Sequence, residues 1–264
     1  MSDYKRYLEL AKICRDTYKG PINHLQLSYN DEIITQQKII HGSFGRGFCR
    51  LFWNSNTVII SFRGTRESID WYISNIKLLP VKLNTALTNN VNIKVHTGFQ
   101  QTLLNYNDKT TKLKSINSLW KHISDYNLFN GRKVVITGHS LGGALAILFA
   151  VNLRLKYEDY SKNNLVEIVT FGAPAVGLKK FKTYYNELNN KTIRIVNGSD
   201  IVPFTPPFFY HHIGNEIWLN KENTQKNIGW FLRLAHSLRL PIKKFSHDHG
   251  IKEYIEKIKA VVIN

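Results

Sequence analysis

A short apolar strand that runs into a glycine-flanked serine, and from there into an apolar helix, constrains this chain more than any other feature. Residues 134–136 form the β-branched run that is typical of a buried parallel strand. The motif Gly-His-Ser-Leu-Gly occupies residues 138–142, and residues 144–150 are apolar on every side of a helix. The arrangement predicts a nucleophile elbow, a turn so tight that glycine is needed two residues to either side of Ser140. Strain in the turn is expected to keep the Ser140 hydroxyl exposed.

The Gly-x-Ser-x-Gly pattern by itself is weak, because it occurs by chance in about one chain in ten of this length. An ordinary glycine-rich turn between a strand and a helix is therefore the alternative interpretation. The β-branched strand before Ser140 and the apolar helix after it favour the elbow.

Strand patterns alternate with helix patterns along the chain, which predicts an α/β fold with a mostly parallel central sheet and helices on both faces. The 264 residues can bury one large core, and no Pro/Ser-rich linker or internal repeat divides them. We therefore expect a single domain over residues 1–264. The patterns predict helices over residues 7–18, 99–125, 141–157, 178–188 and 251–262, and strands over residues 49–53, 57–62, 134–136, 166–171, 192–196 and 217–219.

The formal net charge of +17 predicts attraction to anionic partners such as phospholipid surfaces. A basic surface without any partner is the plainer interpretation, because the chain has no run of five or more basic residues. Nucleic-acid binding is disfavoured, since the basic residues are scattered and no nucleic-acid reader motif is present. Peripheral contact with an anionic membrane surface is the alternative to this plainer interpretation.

Charged side chains occur throughout the first 20 residues, so these residues lack the uninterrupted apolar stretch of a secretory signal peptide. No segment approaches the ~20 apolar residues of a membrane span. These features predict a cytoplasmic location and no transmembrane segment, with secretion by a non-standard route as the alternative.

The only two cysteines, Cys14 and Cys49, lie in apolar segments and predict buried free thiols rather than a disulfide. No Cys/His spacing is that of a zinc site. We therefore expect neither a metal nor a cofactor.

A serine nucleophile needs a base to take its proton, and the base needs a carboxylate to orient it. In this kind of fold the acid and then the histidine follow the serine, each on a loop after a strand. Asp200 directly follows the predicted strand over residues 192–196, in a turn-forming Asn-Gly-Ser-Asp sequence. The other acids in this part of the chain lie within or at the ends of predicted helices and strands, which makes Asp200 the preferred acid. The alternative is a residue that only holds the turn.

The candidate base is one of the histidines that follow Ser140, namely His211, His212, His236, His247 and His249. His249 stands where a loop enters the last predicted helix, from which an imidazole can reach back to the elbow. His247 is the main alternative and His212 the third. His212 lies so close in sequence to Asp200 that it is expected to bond to the wall of the site instead.

Six motifs occur in a fixed order, and together they are more specific than the elbow alone. They are Phe62-Arg63-Gly64-Thr65, Val95-His96-Thr97-Gly98-Phe99, Gly138-His139-Ser140-Leu141-Gly142-Gly143, Phe171-Gly172-Ala173-Pro174, Asp200-Ile201-Val202-Pro203 with Pro206-Pro207, and Asp248-His249. In this order they resemble the class 3 lipases, the fungal-lipase-like branch of the α/β-hydrolases. The resemblance spans about residues 50 to 255.

The resemblance implies that Ser140 is the nucleophile, Asp200 the acid and His249 the base. It also implies an oxyanion hole made from the backbone N–H groups of Thr65 and Leu141, which would stabilise the negative oxygen of the reaction intermediate. His41-Gly42-Ser43 resembles another oxyanion signature but lacks the following glycines and the right strand before it.

These residues predict a serine carboxylic-ester hydrolase that works through an acyl-serine intermediate. The preferred prediction is a lipase acting on triacylglycerols or phospholipids, and the chain would then belong to lipid degradation. An esterase for short or aromatic acyl groups is the first alternative. A catalytically silent module for lipid binding or signalling is the second.

Between Thr65 and residue 95 the resemblance places a lid, and we assign the candidate lid to residues 66–80. Independently, Ile69, Tyr72, Ile73 and Ile76 fall at helical spacing and predict a helix with one apolar face. If this helix is the lid that the resemblance implies, these four residues are the candidate lid and substrate contacts. A helix that is permanently packed on the surface would show the same pattern.

Residues 221–247 form a basic insert with six basic groups and one acid. Apolar residues between positions 228 and 238 fall on one helical face. A cap over the acyl pocket is the preferred interpretation, and an amphipathic helix in a membrane interface is the alternative.

Overall fold

A mixed eight-stranded sheet forms the centre of the protein in the computed structural model, which describes residues 3–42, 47–65, 79–84, 92–105, 107–108, 111–206, 209–220, 224–226 and 247–263. The helices are α1 (Asp3–Thr17), α2 (Thr97–Asn105), α3 (Ser115–Asp125), α4 (Leu141–Lys156), α5 (Glu158–Asn164), α6 (Lys179–Glu187) and α7 (Ile251–Ile263). The strands are β1 (Ser28–Tyr29), β2 (Glu32–Ile33), β3 (Gln36–His41), β4 (Gly47–Trp53), β5 (Thr57–Phe62), β6 (Pro80–Lys82), β7 (Lys94–His96), β8 (Lys133–His139), β9 (Leu165–Phe171), β10 (Gly177–Leu178), β11 (Thr192–Asn197), β12 (Tyr210–His211), β13 (Asn215–Leu219) and β14 (Thr224–Lys226).

The strand order across the central sheet is β14-β13-β11-β9-β8-β5-β4-β3. The strands from β13 to β5 run parallel to one another, whereas β14, β4 and β3 pair antiparallel at the two edges. The prediction of an α/β fold with a mostly parallel central sheet is confirmed. Because parallel strands end at the same edge of a sheet, the residues that follow β8 and β11 come close together.

Alternate side chains of the central strands pack against opposite layers of helices. In β5, Val58, Ile60 and Phe62 belong to the apolar cluster that α2, α3, α4 and α6 complete. Ile59 faces the other way, into the cluster that α1 and α7 complete. A strand covered on both faces explains the unbroken β-branched run in the sequence, and the prediction of helices on both faces is confirmed.

The single long helix predicted over residues 99–125 is wrong, because the structure has two helices there, α2 and α3. In the connection between them, Asp108 accepts a hydrogen bond from the Ser118 hydroxyl at 2.6 Å. Lys112 adopts a positive φ of 61°. Left-handed backbone cannot continue a right-handed helix, and such side-chain bonds compete with helical ones. The polar residues therefore form a loop rather than the exposed face of one helix.

A second, four-stranded sheet with the order β12-β10-β7-β6 was not predicted from the sequence. Its strands contain only two or three residues each. Alternation of polar and apolar residues needs at least four positions to be recognised, so strands this short leave no pattern. This sheet brings the residues before β12 next to the start of α6.

Both cysteines are buried and free, as predicted. Within the described ranges, no helix combines the length and the apolar character needed to cross a membrane.

The lid candidate lies outside the described residues except for its last two positions, 79 and 80, so the apolar stripe of Ile69, Tyr72, Ile73 and Ile76 stays a prediction. Within the basic insert the structure describes only β14 and His247. The predicted helical face of that insert also falls outside the described residues.

Candidate active site

The turn between β8 and α4 has the geometry of a nucleophile elbow. Ser140 has φ 59° and ψ −131°, a backbone conformation that residues other than glycine rarely adopt. A Cβ on Gly138 would lie 2.2 Å from the carbonyl oxygen of Gly142, and a Cβ on Gly142 would lie 2.2 Å from that of Phe62. Both glycines are therefore required by close backbone packing, as the sequence predicts.

The expectation that the elbow keeps the serine exposed is wrong for this structure, in which only 4% of the surface of Ser140 is accessible. Two neighbours account for part of this burial. Gly64 packs so closely that a Cβ on it would lie 3.2 Å from the Ser140 Cβ. The His249 ring lies against the Ser140 hydroxyl at hydrogen-bond distance, 2.8 Å. A substrate therefore has to gain access before it can reach this hydroxyl.

Ser140, His249 and Asp200 form a continuous chain of hydrogen bonds. Nε2 of His249 lies 2.8 Å from Oγ of Ser140. Nδ1 of His249 lies 2.9 Å from each carboxylate oxygen of Asp200. Asp200 follows β11 and His249 precedes α7, so three segments far apart in sequence meet at one edge of the sheet.

The Asp200 carboxylate is fully buried and accepts two further hydrogen bonds. Oδ1 accepts the backbone N–H of Val202 at 2.9 Å, and Oδ2 accepts the hydroxyl of Tyr254 at 2.5 Å. Donors on both oxygens hold the carboxylate plane so that it faces the His249 ring, and they satisfy the lone pairs of a buried anion. Tyr254 belongs to α7, and its role was not predicted from the sequence.

Asp248 joins the loop that carries His249 to the loop that carries Asp200. Its carboxylate accepts the backbone N–H of Ser199 at 2.8 Å, and its carbonyl oxygen accepts the side-chain amide of Asn197 at 2.8 Å. The bond between Ser199 and Asp248 thereby holds the two loops together next to Asp200 and His249.

His139 and Tyr18 form a second hydrogen-bonded chain beside the first. Nε2 of His139 lies 2.7 Å from the carbonyl oxygen of His249, and Nδ1 lies 2.9 Å from the Tyr18 hydroxyl. Burial, and then the nearby His249, lower the pKa of His139 to about 3. The ring is therefore neutral at neutral pH, with one nitrogen donating and the other accepting. His139 stands inside the elbow motif, whereas nothing in the sequence pointed to Tyr18.

The two predicted oxyanion donors are the backbone N–H groups of Leu141, which follows Ser140 in the chain, and of Thr65. Leu141 is the first residue of α4, and the N–H groups of the first helical turn have no partner within the helix. Thr65 directly follows Gly64, the residue packed against the Ser140 Cβ. Both backbone N–H groups therefore belong to residues next to the predicted nucleophile or its neighbour.

The rival histidines that the structure describes lie elsewhere. The side chain of His247 is largely exposed, with Asp248 and Glu253 as its nearest acids at 3.7 and 3.5 Å. Nε2 of His212 lies 2.6 Å from the carbonyl oxygen of Pro203, and its expected contact to the wall of the site stays a prediction. His211 is partly exposed on β12, and His236 falls outside the described residues. Across the described ranges, no group of three or more His, Cys, Asp and Glu side chains is arranged to hold a metal ion.

His96 predicts a measurable loss of stability in acid. Its Nδ1 accepts the backbone N–H of Phe99 at 3.3 Å at the start of α2, and burial lowers its pKa from 6.5 to about 4. Between these two values the unfolded chain binds a proton that the folded chain does not, so stability falls as pH falls. At pH 5 the lowered pKa of His96 reduces the free energy of unfolding by about 2 kcal/mol.

The variant His96→Asn tests this, because its carboxamide oxygen can accept the same N–H and does not titrate. Urea unfolding at pH 7 and pH 5 should show a free energy of unfolding that falls about 2 kcal/mol less in the variant than in the original chain. Equal losses in the two proteins would mean that His96 is protonated in the folded state at pH 5.

Comparison with known proteins assigns the family. Residues 59–210, more than half of the chain, match the family Lipase (class 3). The chain belongs to the class 3 lipase family. The matched region includes residues 59–62 of β5, the elbow and Asp200, whereas α1 and α7 lie beyond it.

Two relatives illustrate the range of the family. The chain is 30% identical over 232 residues to phospholipase A1-Igamma2, chloroplastic, from Arabidopsis thaliana. The alignment covers 73% of this chain and 42% of the relative. It is 32% identical over 174 residues to a lipase from Rhizomucor miehei, which covers 65% of this chain and 44% of the relative. The chain therefore spans less than half the length of each of these two relatives.

Solved structures confirm the α/β-hydrolase fold. A triacylglycerol lipase whose catalytic centre is formed by a serine protease triad aligns with a TM-score of 0.66 at 26% identity, covering 94% of this chain and 95% of that chain. A lipase from Rhizopus microsporus var. chinensis aligns with a TM-score of 0.65 at 26% identity, covering 86% of this chain and 77% of that chain.

Proposed function

We propose that this class 3 lipase hydrolyses carboxylic esters through an acyl-enzyme on Ser140. The observation that carries the proposal is the bond chain from Ser140 to His249 (2.8 Å) and on to Asp200 (2.9 Å). A hydroxyl, an imidazole and a carboxylate in this order are the groups that nucleophilic acyl transfer needs. Membership of the family supports the same chemistry.

The first half of the reaction forms the acyl-enzyme. Oγ of Ser140 attacks the ester carbonyl carbon while Nε2 of His249 accepts the hydroxyl proton. The imidazolium that results is stabilised by Asp200, which accepts the Nδ1 proton in a hydrogen bond. The tetrahedral intermediate then collapses, the bond to the alcohol oxygen breaks, and His249 gives its proton to that oxygen.

The second half releases the acid. A water molecule gives a proton to Nε2 of His249 and attacks the acyl carbon. When the second tetrahedral intermediate collapses, Oγ of Ser140 leaves and takes the proton back. The products are a carboxylic acid and the alcohol released in the first half, and the enzyme returns to its starting state.

The backbone N–H groups of Thr65 and Leu141 are proposed to bind the negative oxygen of both intermediates. Each donor of this kind typically lowers the barrier by about 3 to 4 kcal/mol. Fixed backbone donors are effective because they are already oriented when the charge appears, so no reorganisation is needed at the moment of reaction.

Acyl glycerols or phospholipids are the proposed substrates. The relatives include a phospholipase A1 from Arabidopsis thaliana and a secreted mono- and diacylglycerol lipase from Malassezia globosa, and these names support a lipid ester rather than a small soluble ester. The esterase for short or aromatic acyl groups stays the alternative, because the bond chain in the site is the same for both.

A substrate panel tests the proposed function. Emulsified triacylglycerols, phosphatidylcholine vesicles and p-nitrophenyl esters from acetate to palmitate are offered to the protein, and a serine-directed organophosphate is used to label it. We expect release of long-chain fatty acid and one organophosphate adduct, located on Ser140 by mass spectrometry. Activity limited to short or aromatic esters would favour the esterase. No hydrolysis and no adduct would overturn the proposal in favour of a silent module.

We also propose peripheral contact with an anionic membrane through an exposed surface at the start of α6. Lys179, Lys180 and Lys182 are exposed there, and none of them pairs with an acid among the described residues. After burial, the charges of Lys182 and Lys179 hold the pKa of His211 below its ordinary value, so these two lysines lie near His211. Three unpaired cations on one helical turn attract an anionic lipid surface.

An exposed aromatic side chain lies beside these lysines. Phe209 is 80% exposed. It precedes Tyr210, which pairs with Leu178, and Lys179 follows Leu178. A large apolar side chain next to cations favours a bilayer interface, since the ring can enter the acyl region while the ammonium groups stay at the head groups. Lys179, Lys180, Lys182 and Phe209 are called the α6 surface below.

Vesicle co-sedimentation tests the α6 surface. Binding to phosphatidylglycerol vesicles is expected to exceed binding to phosphatidylcholine vesicles, and K179Q/K180Q/K182Q should weaken it about 100-fold, from about 1 kcal/mol for each lysine. Phe209→Ser should weaken it about tenfold. The charge-matched control K112Q/K114Q/K252Q, at exposed lysines elsewhere, should lose clearly less. Equal, negligible binding to both vesicle types, or an equal loss in the control, would overturn the proposal.

A further inference from the structure

Tyr18 lies in the turn that ends α1, where its N–H bonds to the carbonyl oxygen of Arg15 at 3.1 Å. Its side chain points back into the protein and reaches two segments that are far from it in sequence. The hydroxyl accepts the backbone N–H of Gly64 at 3.1 Å and lies 2.9 Å from Nδ1 of His139. Because a backbone N–H can only donate, the phenolic oxygen is the acceptor in the bond with Gly64.

This arrangement fixes the tautomer of His139. The carbonyl oxygen of His249 can only accept, so Nε2 of His139, 2.7 Å away, carries the ring proton and donates it. In the neutral ring Nδ1 is then the acceptor that faces the Tyr18 hydroxyl. The lowered pKa of His139, about 3, keeps the ring from becoming a donor at both nitrogens. One directed chain of hydrogen bonds thus runs from Gly64 through Tyr18 and His139 to the backbone of His249.

Gly64 is where this chain meets the predicted oxyanion hole. A Cβ on Gly64 would lie 2.2 Å from the Tyr18 hydroxyl, 2.7 Å from the carbonyl oxygen of His139 and 3.2 Å from the Ser140 Cβ. The backbone at Gly64 is therefore pressed between the phenol and the nucleophile. The peptide that follows it carries the N–H of Thr65, so the Tyr18 bond to Gly64 also restricts the direction of that donor.

The Tyr18 hydroxyl consequently contacts Gly64 and His139, which flank the reaction centre, and not Oγ of Ser140 or Nε2 of His249. On one side it holds the strand end that leads to the Thr65 N–H. On the other it sets, through His139, the position of the His249 backbone and hence of the imidazole beside Ser140. A fraction of an ångström of drift at either side lowers the rate, because acyl transfer depends on near-contact geometry.

We propose that Tyr18 is a positioning residue that keeps the oxyanion strand end and the His249 backbone in register around Ser140. The proposal rests on the proposed function, since it assigns Tyr18 to the same acyl-transfer site. Tyr18 stands 41 residues before the part of the chain that matches the family. It therefore lies just past the end of α1 and outside the family motifs.

The variant Tyr18→Phe keeps the ring and removes only the hydroxyl. We expect kcat on a p-nitrophenyl ester to fall about 10- to 100-fold, with KM changed by less than about twofold, because loss of this hydroxyl affects the transition state more than ester binding. The rate of organophosphate labelling at Ser140 should fall by a similar factor, since it needs the same alignment. Nitrogen NMR of His139 should show a shift of the Nδ1 signal, because Nδ1 loses its hydrogen bond to the phenol.

Tyr29→Phe is the matched control. The Tyr29 hydroxyl is also buried beside α1 and donates to Glu167 at 2.8 Å, away from the elbow. Its loss should lower the melting temperature, because the bond contributes to stability alone. We expect kcat and the labelling rate to stay within about twofold of the original values, and the His139 NMR signals to be unchanged.

The readouts separate failure of this proposal from failure of the proposed function. A Tyr18→Phe variant with the original kcat, labelling rate and His139 signals would overturn the positioning role. So would an equal fall of kcat in Tyr29→Phe, because the effect would then be a general structural one. If the unaltered protein neither hydrolyses esters nor takes up the label, a His139 signal that moves in Tyr18→Phe alone would support the hydrogen-bonded chain and refute only the enzymatic function.

Discussion

Replacing Ser140 with alanine is expected to lower kcat on any true ester substrate by a factor on the order of 10⁶. The variant loses the oxygen that forms the acyl-enzyme, while Asp200 and His249 stay bonded to each other at 2.9 Å. Folding should be preserved, because Ser140→Ala removes one oxygen and leaves the backbone and the Cβ in place. Steady-state hydrolysis and organophosphate labelling measure the effect, and labelling should vanish.

Ser161→Ala is the control for the loss of a buried serine hydroxyl. Ser161 is buried on α5 and bonds to the carbonyl oxygen of Glu158 at 2.9 Å. Its replacement should leave kcat within about twofold, since the removed bond stabilises only a helix turn. A Ser140→Ala protein that hydrolyses esters at the original rate would show that another residue is the nucleophile, and the proposed mechanism would have to be abandoned.

Replacing Asp200 with asparagine is expected to lower kcat about 10⁴-fold while leaving the fold intact. The remaining carbonyl oxygen of the new amide can still accept the N–H of Val202. Its NH₂ group, however, cannot accept a proton from Nδ1 of His249. The imidazole then carries its proton on Nε2, facing the Ser140 hydroxyl, so it cannot act as the base.

Asp108→Asn is the matched control for exchanging a buried carboxylate for an amide. Asp108 is buried between α2 and α3 and accepts the Ser118 hydroxyl at 2.6 Å. We expect reduced stability in urea and a kcat within about threefold of the original. If Asp200→Asn retained more than about a tenth of the original kcat, His249 would need another orienting partner and the assignment of Asp200 would fail.

The sequence was most informative where chain order and local geometry determine spatial position. Parallel strands end at one edge of a sheet, so the segments after β8 and β11 had to converge, and Ser140 and Asp200 could be paired from their positions alone. The two elbow glycines were predicted from local geometry, because the turn leaves no room for a side chain at either position. His249 was preferred over His247 because it stands where a loop enters the last helix, and the family resemblance implies the same residue.

The contacts that sequence patterns missed are set by tertiary packing. Tyr18 and Gly64 are 46 residues apart, and no local pattern can show that a phenol will reach a particular backbone N–H. The burial of Ser140 likewise depends on what packs over the turn and not on the turn itself. The break between α2 and α3 was missed because polar residues on an exposed helix face and polar residues in a loop look alike in sequence.

The helix α1 is fastened to the sheet at both ends. Near its start, Arg6 pairs at 2.7 Å with Glu167, whose carboxylate is fully buried in β9. Just past its end, the phenol of Tyr18 is bonded to Gly64. A small change in the tilt of this helix would therefore be transmitted to the reaction centre long before the protein unfolded. A stretch of chain that precedes every family motif would in this way tune the speed of the enzyme.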